Sequence, residues 1–156
     1  MKTLVLGLGN PLVTDDSVGL RVAAVLKDRL ASESDLDVAE DHWGGLRLME
    51  RMVGYDRVIV IDAACCGAPP GTIHHLGPGD MPTQRSASSH DMNLPTALSL
   101  GRLAGLHLPD DRNILLVGIE AEDILTFGET CTPAVEAAVP RAVADVLEAL
   151  RGPVVE

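Results

Sequence analysis

Val58-Ile59-Val60-Ile61-Asp62 decides the fold: four consecutive β-branched apolar residues that end in an acid. No polar residue alternates with them, so both faces of this strand must be covered. A strand buried on both faces belongs to a parallel sheet with helices on either side. Upstream, Thr3 to Leu8 is a shorter run of the same kind, entering a loop at Gly9-Asn10-Pro11. Between the two runs, Val18, Val22, Val25, Leu26 and Leu30 recur at helical spacing and predict a helix over 16–31. Thr14, Asp15 and Ser17 stand where its N-cap is needed. A second strand is expected over 36–40, and a short helix over 44–52 with Leu46, Met49 and Met52 on one face.

Beyond the decisive strand, residues 67–71 form a Gly/Pro turn, 72–76 an edge strand, and 77–90 a long Gly/Pro/Ser/Thr-rich loop. Loops of that length are usually functional or mobile. A helix should follow through Leu94, Leu98, Leu100 and Leu103, with Pro95 tolerated in its first turn. Another buried strand covers 113–119. Thr132-Pro133 then opens a last helix whose Val135, Val139, Val143, Val146, Leu147 and Leu150 face inward, and Pro140 should kink or split it. Strand and helix alternate throughout. The expected architecture is one α/β domain over residues 1–156, a three-layer sandwich whose mostly parallel, twisted sheet has about five strands and helices on both faces.

The chain of 156 residues is long enough to bury roughly 70% of its unfolded surface. Its 46% hydrophobic content includes one Trp, one Tyr and one Phe, so the core must be aliphatic. A net charge of −11 excludes non-specific nucleic-acid binding, which needs a basic footprint. Cys65, Cys66 and Cys131 lack paired C-x-x-C spacing, which points to neither a disulfide framework nor a structural zinc site. The apolar start is too short for a signal-peptide core and no run is long enough to span a membrane, so a cytoplasmic location is expected.

In a sheet of this kind, ligands bind beyond the carboxyl ends of the strands. Asp16 follows the first strand by one loop and Asp62 ends the third, which puts both acids on one rim. His90 can reach that rim if its loop folds back, and two carboxylates with one imidazole suit a borderline divalent metal. Each has a plainer reading: Asp15 and Asp16 as an N-cap, Asp62 as a structural acid, His90 as a solvated loop residue. Cys65 and Cys66 read as buried small hydrophobes or as soft ligands. His74 and His75 point to opposite faces of a strand, so at most one approaches any site. Glu120, Glu122 and Asp123 read as a solvated turn or as part of the rim.

Gly7-x-Gly9 opens like a dinucleotide fingerprint, but Leu12 replaces the third glycine and no ribose acid lies at the right distance. The string Gly7 to Pro11 also resembles the opening of bacterial peptidyl-tRNA hydrolases. Residues 12–24 here lack the Tyr and His that follow in those enzymes, and the chain is acidic.

Leu4-Val5-Leu6-Gly7-Leu8-Gly9-Asn10-Pro11-Leu12-Val13-Thr14-Asp15-Asp16-Ser17-Val18-Gly19 resembles the N-terminal signature of the nickel–iron hydrogenase maturation endopeptidases. Tyr55-Asp56-Arg57-Val58-Ile59-Val60-Ile61-Asp62-Ala63 is similar to that family's second segment, and Ser88-Ser89-His90-Asp91 to its histidine segment. Thr130-Cys131-Thr132-Pro133-Ala134-Val135-Glu136 resembles the stretch that opens its last helix. The motifs come in the family's order along nearly the whole chain.

The resemblance implies an endopeptidase that removes a C-terminal extension from a hydrogenase large-subunit precursor after nickel insertion. Asp16, Asp62 and His90 would bind the nickel that the substrate carries. Hydrolysis needs no organic cofactor, no membrane partner is expected, and the chain is expected to act as a monomer. The family's glycine-rich loop corresponds to Asp41-His42-Trp43-Gly44-Gly45, so Asp41, Gly44 and Gly45 are expected to contact substrate; Trp43 departs from the usual small residues. A nickel-binding chaperone would use the same three ligands without cleaving anything. A purely structural module would tolerate their loss.

Overall fold

The computed structural model describes residues 1–80 and 93–155. Five strands, β1 (Thr3–Leu8), β2 (Leu36–Asp41), β3 (Arg57–Ala64), β4 (Ile73–Leu76) and β5 (Ile114–Glu120), form one sheet in the order β2-β1-β3-β5-β4. Its first four members in that order run parallel, and the edge strand β4 is antiparallel to β5. The helices are α1 (Val18–Arg29), α2 (Gly45–Met52), α3 (Leu94–Leu103) and α4 (Pro133–Arg151).

The alternate residues of β3 sort into two cores. Ile59, Ile61 and Ala63 pack with Val18, Val22 and Leu26 of α1 and with Val135, Val139 and Val143 of α4. Val58 and Val60 pack with Leu48, Met49 and Met52 of α2 and with Leu94 and Leu98 of α3. This is the three-layer α/β sandwich that the alternation of elements predicts. Neither buried cluster contains an aromatic side chain: Trp43 and Phe127 are exposed, and Tyr55 only borders the second cluster. In α2, Leu48 takes the inward place expected of Leu46, which is exposed.

Three glycines set how closely α1 approaches the sheet. A Cβ at Gly7 would lie 2.4 Å from the Gly19 carbonyl oxygen, and a Cβ at Gly19 would lie 2.3 Å from that of Leu8 and 2.4 Å from that of Ile61. A Cβ at Gly9 would lie 2.4 Å from the Asp16 oxygen. The start of α1 is therefore wedged against the ends of β1 and β3, where no side chain fits.

Two expectations about helices are corrected. The helix expected to begin at residue 16 begins at Val18, after a 3-10 turn over Thr14–Ser17 that carries Asp16. Of the kink or split expected at Pro140, the split does not occur: the last helix runs for 19 residues. Pro140 lies on its exposed side, where water can satisfy the carbonyl that loses its partner.

Candidate active site

The chain turns from β1 out to β2 on one side and returns to β3 on the other, so β1 and β3 flank the point where the order reverses. Open α/β sheets bind ligands in the crevice beyond the strand ends at such a point. Asp16 and Asp62 occupy that place. Asp62 lies near the end of β3, 8% exposed, with its Oδ1 accepting from the Ala63 N–H at 2.8 Å. Asp16 is half-buried in the 3-10 turn that packs against β3, three residues before the wedged Gly19. His90 lies outside the described residues, as do its neighbours in the histidine segment.

Asp41 ends β2 in register with Leu8, and its backbone oxygen accepts from the Gly9 N–H at 3.1 Å. Its carboxylate lies 3.4 Å from Arg51 Nε and accepts from the His42 N–H. Gly44 and Gly45 follow on the same rim. Gly45 opens α2 at φ 56°, a conformation that costs other residues about 1–2 kcal/mol. Trp43, nearly half exposed, stacks beneath the Arg47 guanidinium with 4.5 Å to its ring centroid. The predicted substrate loop therefore carries an aromatic–cation surface beside the acids.

Sequence reasoning missed the residue that holds this rim together. Asp15, expected only as an N-cap alternative, is fully buried and caps nothing in α1. Its Oδ2 accepts from the Glu122 and Asp123 N–H groups at 2.9 Å and from Thr132 Oγ1 at 2.8 Å, and its Oδ1 accepts from the Thr132 N–H at 2.7 Å. Thr132 is the N-cap residue of α4. One carboxylate thus ties the turn that carries Asp16 to the segment after β5 and to the last helix. Asp123 bends that segment by accepting from the Thr126 and Leu125 N–H groups, which hold its carboxyl below the usual range.

Other readings are corrected by the fold. Cys65 and Cys66 are exposed rather than buried, because the chain leaves the sheet after Ala64. Glu120 is 3% exposed rather than solvated: it ends β5 and is bonded by His74 Nε2 and the Cys66 N–H. His74 and His75 do face opposite ways, His74 to Glu120 and His75 to Asp145 of α4. Cys131 is buried, 3.6 Å from Ser17 Oγ, and burial pushes its thiol up. Thiolate is the reactive form, so the raised value slows alkylation near neutral pH. Timed iodoacetamide labelling should modify the exposed Cys65 at least about tenfold faster than Cys131. Equal rates would contradict the burial.

A cleft of about 430 Å³ opens among Met1, Thr3, Leu36, Arg57 and Leu150, at the opposite, amino ends of the strands. It lies away from the acids and from the crevice that this sheet type uses. The rim of Asp16, Asp41 and Asp62 is the candidate site.

The family model for hydrogenase maturation proteases, HycI, matches residues 20–149. The chain belongs to the hydrogenase maturation protease family. Hydrogenase 2 maturation protease of Escherichia coli K12 is 32% identical over 97% of this chain and 92% of its own length. The solved structure of the E. coli hydrogenase maturating endopeptidase HybD superposes with a TM-score of 0.79, covering 97% of this chain and 93% of that one. The hydrogenase expression/formation protein HupD of Thiocapsa roseopersicina is 27% identical over 96% of this chain and 67% of its own length. As a maturation protease the chain is a hydrolase, and its five-stranded sheet with surrounding helices matches the HybD fold. Among the described residues, no helix is long and apolar enough to cross a membrane.

Proposed function

We propose that this maturation protease removes the C-terminal extension of a nickel–iron hydrogenase large-subunit precursor, and that nickel already inserted in the substrate is what it recognises. The observation that supports this reading is the placement of Asp16 and Asp62 at one switch point, each on backbone that glycine packing or a strand end holds in place. Two carboxylates and an imidazole are a donor set that nickel accepts. In this reading Asp16, Asp62 and His90 are those donors, and the metal arrives with the substrate. An unloaded precursor then lacks its main anchor and stays intact.

Nickel held beside the scissile bond would polarise the carbonyl or acidify an attacking water. The same carboxylates are suited to take up a proton as general base. The sequence contains no G-x-S-x-G elbow and no H-E-x-x-H helix, the signatures of two common peptidase chemistries. Asp41, Gly44 and Gly45, on the same rim, would contact the precursor beside the cut.

Incubating the purified chain with its matching nickel-loaded precursor should shorten the precursor by one C-terminal peptide, read by mass spectrometry. A verified nickel-loaded precursor that stayed intact would remove the peptidase reading and favour a nickel-binding chaperone.

A further inference from the structure

Three donors of different kinds converge at the edge of the rim, and the proposed cleavage uses none of them. The Cys66 thiol, a His74 ring nitrogen and a Glu120 carboxylate oxygen all lie within 4.8 Å of one another. His74 Nε2 and Glu120 Oε1 are 3.0 Å apart, and the Cys66 N–H donates to both Glu120 oxygens at 3.0 Å. We propose that Cys66, His74 and Glu120 form a second metal site, selective for a thiophilic divalent ion such as zinc, separate from Asp16 and Asp62.

The donor chemistry selects the metal. Thiolate with imidazole favours zinc-like ions, whereas magnesium and calcium prefer all-oxygen sets. The geometry is close to what such an ion needs. Tetrahedral zinc with its usual bond lengths places neighbouring ligand atoms about 3.3–3.6 Å apart. The His74–Glu120 pair is already near that separation, and the exposed Cys66 side chain has to close by only about 1 Å. Three protein ligands leave a fourth position for water, as in open zinc sites. On binding, Cys66 gives its proton to solvent and His74 ligates as neutral imidazole.

The supports are rigid. Glu120 ends β5, which is paired on both sides by β3 and β4; its N–H donates to the Thr72 oxygen and its oxygen accepts from the Gly71 N–H, both at 2.8 Å. His74 lies on β4 directly opposite Gly118, where a Cβ would stand 3.7 Å from that of His74 and 3.1 Å from that of Ala64. The tight neighbour at 118 is therefore Ala64 of β3, while His74 lies at ordinary contact distance. Asp62 pairs with the same Gly118 from the other side. A bound ion would therefore staple the exit of β3, just beyond Asp62, to the edge strand.

The test is titration of the full chain with Co²⁺, a zinc surrogate whose thiolate bond gives a near-ultraviolet charge-transfer band. One equivalent should bind with that band. The band should vanish in Cys66→Ser, and affinity should fall by about a hundredfold or more in His74→Ala, since even outer partners of a ligand cost 10–100-fold. It should persist in Cys65→Ser, Cys131→Ser and Asp62→Asn. The Asp62→Asn arm keeps this result independent of the peptidase reading. Because Cys66 is exposed, its serine variant should keep the wild-type circular dichroism. A wild-type protein without the band, or a band that survives Cys66→Ser, would overturn the site.

Discussion

Asp62→Asn should reduce precursor cleavage by about a hundredfold or more while leaving the fold intact, and Asp16→Asn should do the same. Each substitution keeps shape and removes the negative charge that a nickel ligand supplies. Asp62 is nearly buried near the end of β3, where asparagine can still accept from the Ala63 N–H at 2.8 Å. The contact with Ala63 therefore survives while the negative charge is lost. Asp16 is half-buried in a short turn outside both hydrophobic clusters, so its stability cost should stay under about 1 kcal/mol. Single-turnover cleavage of loaded precursor gives the rate, and a thermal melt shows whether the fold is kept. Either variant cleaving within threefold of wild type would remove that residue from the proposed nickel set.

Asp15→Ala should instead act on stability, lowering it by about 3–5 kcal/mol. Four donors end on this one buried carboxylate, three of them backbone N–H groups of Glu122, Asp123 and Thr132. Each buried donor left without an acceptor costs about 1–3 kcal/mol, with water entry at the turn offsetting part of the sum. Asp15→Asn should recover only part of the loss, because its amide nitrogen would face an N–H group rather than accept from it. Cleavage should fall as well, since the Asp15 network fixes the turn that presents Asp16. Urea unfolding measures the effect. A change below about 1 kcal/mol would mean that the network is not what holds the rim.

The contrast between these neighbouring acids shows what was legible in the sequence. The strands and helices could be read locally: an unbroken apolar run gave β3, helical spacing gave α1, and Thr132-Pro133 marked the start of α4. The position of Asp62 and Asp16 at one rim followed from the order of elements. The burial of Asp15 did not, because its acceptor role depends on donors more than 100 residues away. No periodicity encodes such a pairing.

Glu120 was misread for the same reason. A glutamate after a strand looks solvated until the antiparallel return of β4 brings His74 across it, and the loop from Ala64 brings Cys66. Paired cysteine spacing, the usual sign of a zinc site, is absent when each ligand comes from a different element. At Pro140 only the split failed to occur, since a long helix tolerates proline where the freed carbonyl faces water.

The most direct test of the central claim compares one precursor with and without nickel. The matching large-subunit precursor, loaded or metal-free, is incubated with the purified protease and both products are weighed by mass spectrometry. Loss of a C-terminal peptide from the loaded sample alone is the predicted result, and it would establish the cleavage and its nickel gate together. Equal cleavage of the metal-free precursor would contradict recognition through the substrate's nickel.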